Sequence, residues 1–412
     1  MSKLNVIDFF CGAGGFSEGF KQMGFKIIKG YDNWQPAINT FNHNFGTDSK
    51  VENILNFIDS VEKINQLPRT EIIIGSPPCV SFSSSNKSGK ADKSLGLDLT
   101  KCFLRIVAVK KHEKGSILKA WFMENVANSK KYVSQKYSFK DLDLTDWAIT
   151  NGKDPNAEAL NLKDNTEIIN SADYGSYQAR KRAISGEIIS SKKFDIPKPT
   201  HSNIEEDNLR NWNTLGDLIE NIPSPISKVS DFEITDPVYK EIKLKQSDIT
   251  DHFYDSGLYK SEWRQSKEHK INHYCMGKMS FPENLNKPSR TITATKSGTS
   301  REALIYKSEY NREGNGKYRA PTIREASSIM GFPFTYQFLG SINSKWRLVG
   351  NAVCPSVSRA LAIEVLLSLN MKPLKKLKLN RKVNFVGVGN LNNFKEKPFD
   401  NQPKRTKNSR FR

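Results

Sequence analysis

Cys79 has both the residue type and the setting for covalent chemistry, within the stretch Glu71 to Ser83, EIIIGSPPCVSFS. A thiolate is a strong nucleophile once it is held within reach of an electrophilic carbon. The three isoleucines before it read as the end of a buried strand. Pro77 and Pro78 cannot continue that strand, because they lack an N–H and fix φ near one value. The thiol is therefore expected on a stiff loop just past a strand's carboxyl end, where open α/β sheets bind ligands. Packing as a small buried hydrophobe is the commoner fate of a free cysteine, and on this stretch alone the two readings stand level.

Two further sites carry chemistry-bearing side chains. Glu124 ends the apolar run Ala120 to Met123 (AWFM). A carboxylate there is desolvated unless paired, which raises its pKa and lets it donate a proton near neutrality; a capping or salt-bridged acid is the plainer alternative. Arg180 and Arg182, in Ser171 to Ile184 (SADYGSYQARKRAI), fall on one face of a strand and could meet a phosphate or base edge together. A solvated strand edge would look the same.

The elements that must position these groups follow an α/β pattern. Leu4 to Phe10 reads as a first strand, Cys11-Gly12-Ala13-Gly14-Gly15 as a glycine loop, and Phe16 to Met23 as a helix. That order places backbone N–H groups at a helix N-terminus, facing an anionic ligand group. The spacing is not G-x-G-x-x-G, which argues against an ordinary NAD site. A second strand, Lys26 to Gly30, ends at Tyr31-Asp32-Asn33-Trp34 before a helical stretch from Trp34 to Asn44. An acid about 20 residues past the glycine loop suits a ribose diol, whereas an Asx turn or helix cap is the alternative. A third strand end is expected near Val51 to Ile54. Phe82 to Gly96 is rich in Ser, Gly and Lys, as a lid or a linker would be, and Leu97 to Lys110 reads as a helix.

From about Phe194 to Leu285 the chain changes character, with five prolines from Pro197 to Pro237 and basic residues interleaved with aromatic ones from His252 to Tyr274. A separate smaller module with nucleic-acid contacts is expected there. Pro288 to Thr295 alternates like a strand, Thr322 to Met330 reads as a helix, and the apolar helix Ser356 to Leu369 is expected to return to the first domain.

Composition narrows the partners. The 412 residues suffice for two domains. No apolar run approaches the roughly 18 residues of a membrane span, and the N-terminus does not read as a signal peptide, so a soluble, cytoplasmic protein without a membrane partner is expected. The five cysteines are widely spaced, with no C-x-x-C pair, which suggests neither a disulfide framework nor a metal site. Lys and Arg number 63 against 44 acids, a net +19 that points to a polyanion. Met371 to Arg412 holds 13 of those bases and two acids, so +11 lies in the tail. Such an arm adds salt-sensitive affinity without sequence information.

In order, the chain presents Asp8-Phe9-Phe10-Cys11-Gly12-Ala13-Gly14-Gly15, Gly75-Ser76-Pro77-Pro78-Cys79, Glu124-Asn125-Val126, Gln178-Ala179-Arg180-Lys181-Arg182, Arg290-Thr291-Ile292-Thr293 and Gly350-Asn351-Ala352-Val353. These six blocks resemble those of the cytosine-5 DNA methyltransferases of the bacterial restriction-modification type, from Asp8 to about Leu369. The resemblance implies a Rossmann-like S-adenosylmethionine-dependent methyltransferase sheet with helices on both faces, plus a smaller target-recognition domain. It divides the chain into a catalytic and cofactor domain at 1–190 and a small domain at 191–340, whose recognition core lies at about 194–285. A returning segment at 341–371 and a flexible basic tail at 372–412 complete it.

The resemblance further implies that Cys79 attacks C6 of a cytosine flipped out of duplex DNA while Glu124 protonates N3, and that Arg182 contacts O2 with Arg180 in support. Phe10, Gly12, Ala13 and Gly15 would hold the methionine part of S-adenosylmethionine, Asp32 the ribose and Asn33 the adenine. Asn53, Ile54, Pro78, Leu99, Asn351 and Val353 would complete the pocket. Asn53 stands where the family usually has Asp, and Val80 where many members have Gln. A monomer is implied, paired functionally with a cognate restriction endonuclease. A tRNA cytosine-5 methyltransferase and an inactive DNA-binding homologue are the rival readings; the presence of Cys79, Glu124 and Arg182 together argues against the second.

Overall fold

Apolar β-branched runs between glycine-containing turns build one mixed sheet at the centre of the computed structural model. The structure describes residues 4–58, 60–78, 93–190, 196–226, 233–272, 277–309, 314–379 and 382–386. In chain order the elements that matter for the site are β1 (Asn5–Phe9), α1 (Gly15–Gln22), β2 (Lys26–Tyr31), α2 (Gln35–Phe45), β3 (Ile72–Gly75), α3 (Lys93–His112), β4 (Ala120–Val126), β5 (Thr166–Asn170) and β6 (Lys181–Ile188). α4 (Lys260–Ile271), α5 (Ile323–Ile329), α6 (Ile342–Asn351) and α7 (Pro355–Ser368) follow. The strands lie in the order β2-β1-β3-β4-β6-β5. The first four are parallel, and β6 runs antiparallel to both β4 and β5.

Strand alternation divides the core between the two faces. Val6, Ile72, Ile74, Ala120 and Phe122 face Phe16 and Phe20 of α1 together with Leu361 and Val365 of α7. Ile7, Phe9, Ile73, Trp121 and Met123 face Phe103, Ile106 and Val107 of α3. The Rossmann-like sheet covered on both faces is therefore present. α7 lies close on α1: a Cβ on Gly19 would sit 2.3 Å from the Arg359 nitrogen, so only glycine fits there.

Residues 196–309 carry short paired strands, α4 and two small clusters, one around Leu244, Ile249 and Phe253 and one around Leu258 and Ile305. Buried ion pairs accompany these small clusters. Glu283 takes Lys270 Nζ at 3.0 Å and Arg290 Nη2 at 2.8 Å, and Arg319 meets Glu325 at 2.8 Å. The Tyr239 hydroxyl donates to Glu18 of α1 at 2.6 Å, tying this region to the sheet.

Three local expectations differ from the structure. Val51 makes a single bridge to Asp32, and a 3-10 turn, Ile54–Phe57, follows in place of a strand. Around 288–295 there is one bridge, Gln178 to Ser289, and side chains take the backbone bonds a strand would have used. The tail expected to be free from residue 372 lies against the body in its described part: Leu377 and Phe385 pack on core clusters, and His43 Nε2 meets the Asn384 carbonyl at 2.7 Å. Among the described residues no single helix is long and apolar enough to cross a membrane.

Candidate active site

The carboxyl ends of β1 and β2 form one half of the site. Phe10, Gly12 and Gly14 all have positive φ, at 55°, 50° and 80°. Gly14 must be glycine for a second reason, since a Cβ there would lie 2.4 Å from the Phe45 ring. This turn carries the loop over Asp32, whose carboxylate accepts from the Gly12 N–H at 3.0 Å and the Trp34 N–H at 2.9 Å. Burial raises the Asp32 pKa; those amides, the Asn33 amide and the Arg347 charge oppose the rise. A Cβ on Gly12 would meet nothing within 4 Å, so the loop backbone is open on that side. Asp8, just below, is fully buried and its Oδ1 has no hydrogen-bond partner. Open space beside the loop backbone at Gly12, a carboxylate at a strand end and a buried acid with one unpartnered oxygen beneath fit a ligand carrying both a diol and charged groups.

The other pocket residues named from the sequence are distributed unevenly. Ala13 and Gly15 are buried, and a Cβ on Gly15 would lie 2.2 Å from the Val353 carbonyl, so the loop and the block at 350–353 do meet. Asn33 and Asn351 are exposed. Asn53 is also exposed, and its side chain caps the 3-10 turn by accepting from the Leu55 N–H at 3.1 Å. Ile54 is buried and its carbonyl accepts from Cys102 Sγ at 3.0 Å. Leu99 is half-buried on α3, and Pro78 is exposed at the end of the described segment.

The second half of the site lies where β3 and β4 end and β6 begins. Cys79, Val80 and the Ser/Gly/Lys stretch to residue 92 lie outside the described residues. What leads to Cys79 is well anchored. Ser76 donates its N–H to the Phe9 carbonyl and its hydroxyl to the Phe10 carbonyl, both at 3.1 Å. Asn125 donates through Nδ2 to the Pro77 carbonyl at 3.3 Å, while its Oδ1 accepts from the Val126 N–H at 2.8 Å. Ser76 and Asn125 were given no role from the sequence. Their small polar side chains sit inside two of the six blocks, but their carbonyl partners lie far away in the chain.

Antiparallel register sets Glu124 opposite Ile184 and Val126 opposite Arg182. Arg182 Nε then reaches Glu124 Oε1 at 2.8 Å. Burial raises the Glu124 pKa, and Arg182 and Arg180 pull it back only in part, so the carboxyl holds its proton closer to neutrality than an exposed one. Arg180 donates through Nη1 to the Ile292 carbonyl and through Nη2 to the Gly350 carbonyl, each at 3.0 Å. One guanidinium thus bridges the blocks at 290–293 and 350–353. Glu124, Arg180, Arg182, Val353 and Cys354 line a single small pocket. Here a carboxyl with a raised pKa and two guanidinium groups face one space.

Asp8 gives a test of this electrostatic picture. Burial, with a smaller contribution from the Asp32 charge, pushes its pKa up to about 8, against the Ser17 hydroxyl that donates to it at 2.7 Å. The unfolded carboxyl titrates near ~4, so the folded state binds the extra proton from there to about 8 and loses stability as pH rises through that window. Asp8→Asn removes this loss. Its thermal unfolding midpoint, relative to the parent, is expected to shift upward between about pH 5 and pH 9; an unchanged difference across that range counts against a raised Asp8.

Comparisons with known proteins give the family and the fold. Residues 4–366 match the family described as C-5 cytosine-specific DNA methylase. The Type II methyltransferase M.NgoFVII of Neisseria gonorrhoeae is 28% identical over 383 residues, spanning 89% of this chain and 87% of the relative. The Type II methyltransferase M1.HphI of Haemophilus parahaemolyticus is 27% identical over 371 residues, with the same two coverages. Among solved structures, the Entamoeba histolytica methyltransferase EhMeth superposes with a TM-score of 0.53 at 17% identity, over 90% of this chain and 99% of that one, a likeness of fold.

Proposed function

Because the chain belongs to the C-5 cytosine-specific DNA methylase family and is a cytosine-5 DNA methyltransferase, we propose that it is the modification enzyme of a Type II restriction-modification system. It acts as a cytoplasmic monomer on one short duplex sequence, paired functionally with a cognate endonuclease. The observation that carries this reading is the Glu124–Arg182 pair, set in one pocket with Arg180 and within reach of the block that touches the glycine loop. Residues 1–190 and 341–371 form its catalytic and cofactor unit and 191–340 its small domain, with the target-recognition core at about 194–285, while the basic residues of 372–412 add salt-sensitive affinity for the DNA backbone.

Cytosine C5 is too weak a nucleophile to take a methyl group until a nucleophile adds at C6. Cys79 makes that bond to the flipped-out base, and Glu124 donates its proton to N3, which carries the displaced electron pair toward C5. When bound, S-adenosylmethionine supplies the electrophilic methyl group that C5 accepts. Removal of the C5 proton by a base, with the N3 proton returning to Glu124, then expels the Cys79 thiolate and restores the aromatic ring. Arg182 holds the cytosine O2 and orients Glu124, while Arg180 braces the wall behind them. Asp32 accepts from the cofactor ribose, the loop Phe10, Gly12, Ala13 and Gly15 borders its methionine end, and Asn33 and Asn351 border the adenosine. Asn53 serves its own turn and contributes little to that pocket.

Bisulfite sequencing of genomic DNA and of RNA from cells expressing the chain tests the reading. Protected cytosines confined to one short DNA motif are expected. Protection in RNA alone overturns the duplex-DNA assignment, and protection in neither overturns the activity.

A further inference from the structure

Arg347 is used by none of the chemistry above, yet it faces the cofactor side of the site. It lies on α6, whose backbone is fixed from other directions. Trp346 Nε1 donates to the Thr293 carbonyl at 3.0 Å, Lys345 pairs with Asp251 at 2.6 Å, and the Gly350 carbonyl receives Arg180. A Cβ on Gly350 would lie 2.5 Å from that same Thr293 carbonyl, so the helix has no room to shift. Held in this way, α6 presents Arg347 and Asn351, four residues apart and therefore on one face, and both are exposed. The Arg347 guanidinium carbon sits 4.5 Å from the centre of the Trp34 ring, within cation–π range. Trp34 in turn gives its backbone N–H to Asp32.

We infer that Arg347 is a positioning residue of the cofactor pocket, clamping the Trp34 indole and holding the Asp32 carboxylate ready for the adenosyl ribose. This rests on the assignment of Asp32 to that ribose. A diol donates two hydrogen bonds, and a carboxylate accepts both, whereas a protonated carboxyl has surrendered part of that capacity. Opposing influences act on Asp32. Burial disfavours its charge, while the Gly12 and Trp34 amides, the Arg347 cation and the Asn33 amide favour it; Asp8 and Cys11 lie near enough that this charge raises their own pKa values, and Glu52 follows its neighbour Val51 in the adjoining segment. Without the guanidinium the carboxyl protonates at a higher pH, and the indole loses its partner. A packing role would weaken binding at every pH alike, whereas this role also moves the pH at which binding fails.

The test is calorimetric titration of the full chain, without DNA, with S-adenosylhomocysteine across about pH 5.5 to 8.5. For Arg347→Met, a roughly tenfold rise in Kd near neutrality is expected, and the acid midpoint of binding should move to higher pH. Arg347→Lys should recover the midpoint through its charge while recovering the affinity only in part, because an ammonium stacks less well than a planar guanidinium. A Kd within about twofold of the parent with an unmoved midpoint overturns the inference, as does a weaker Kd with an unmoved midpoint. Asp32→Asn separates the two claims. Unchanged affinity in that variant overturns the ribose assignment itself, and a loss there beside a silent Arg347→Met overturns only the role given to Arg347. Circular dichroism checks that each variant is folded.

Discussion

Cys79→Ser is expected to abolish methyl transfer, by at least about 10³-fold, while specific DNA binding stays measurable. Serine nearly preserves the size of the side chain, but its hydroxyl ionises far above neutrality and adds poorly to an aromatic carbon. The loss therefore falls on the chemical step and not on docking. The approach to residue 79 is built to hold still, since Ser76 is tied to Phe9 and Phe10 and Asn125 to the Pro77 carbonyl. A substitution one residue past Pro78 leaves those bonds in place. Tritiated methyl incorporation and a gel shift on the same preparation separate the two effects. Duplex DNA with 5-fluorocytosine at the target gives an independent readout, because fluorine cannot leave as a cation and the C6 adduct persists. The parent should form a stable covalent complex in the presence of cofactor and the serine variant none. Turnover retained in the variant, or an active parent that never forms the complex, refutes attack by Cys79.

The first half of the sheet was legible because its signals are local. LNVIDFF, KIIKG and EIIIG are short β-branched runs ended by Gly, Asp or Pro, and they become β1, β2 and β3 within a residue or two. Partner choice is not local, and there the sequence was silent. Nothing in KRAISGEI states that β6 runs against β4, yet that register is what brings Arg182 to Glu124. PSRTITAT alternates as a strand should, but its backbone is satisfied from elsewhere. The Ile292 N–H donates to the Gln178 side chain, its carbonyl accepts from Arg180, and the Thr293 carbonyl accepts from Trp346. Three distant side chains replace the ladder. Arg180 shows the same limit: its type suggested contact with a base or phosphate, and the structure also gives it two backbone carbonyl partners more than 100 residues away, which its type does not announce. Asn53 shows the reverse. Where the family favours an acid, this chain has a residue that caps its own turn two positions later.

Glu124→Gln is expected to lower the single-turnover rate by about 10²- to 10³-fold, within the range for loss of a positioned proton donor, with DNA affinity nearly unchanged. The amide keeps the shape and can still accept from Arg182 Nε, so the pocket wall should hold. It cannot deliver a proton to N3. The pH dependence separates this role from a merely structural one. Burial raises the Glu124 pKa, and Arg182 opposes the rise, so the parent's single-turnover rate should fall as pH increases through that pKa and the protonated acid is depleted. The glutamine variant should lose this alkaline limb and keep a low, flat rate there. The substitution acts on stability in the opposite sense to its effect on rate. A carboxyl whose folded pKa is raised loses stability as pH increases through it, and glutamine, which does not ionise, is free of that loss. A slow variant that is no less stable at alkaline pH than the parent therefore places the defect in proton transfer. A variant that keeps the alkaline limb would assign that ionisation to another group and leave Glu124 as a hydrogen-bonding wall.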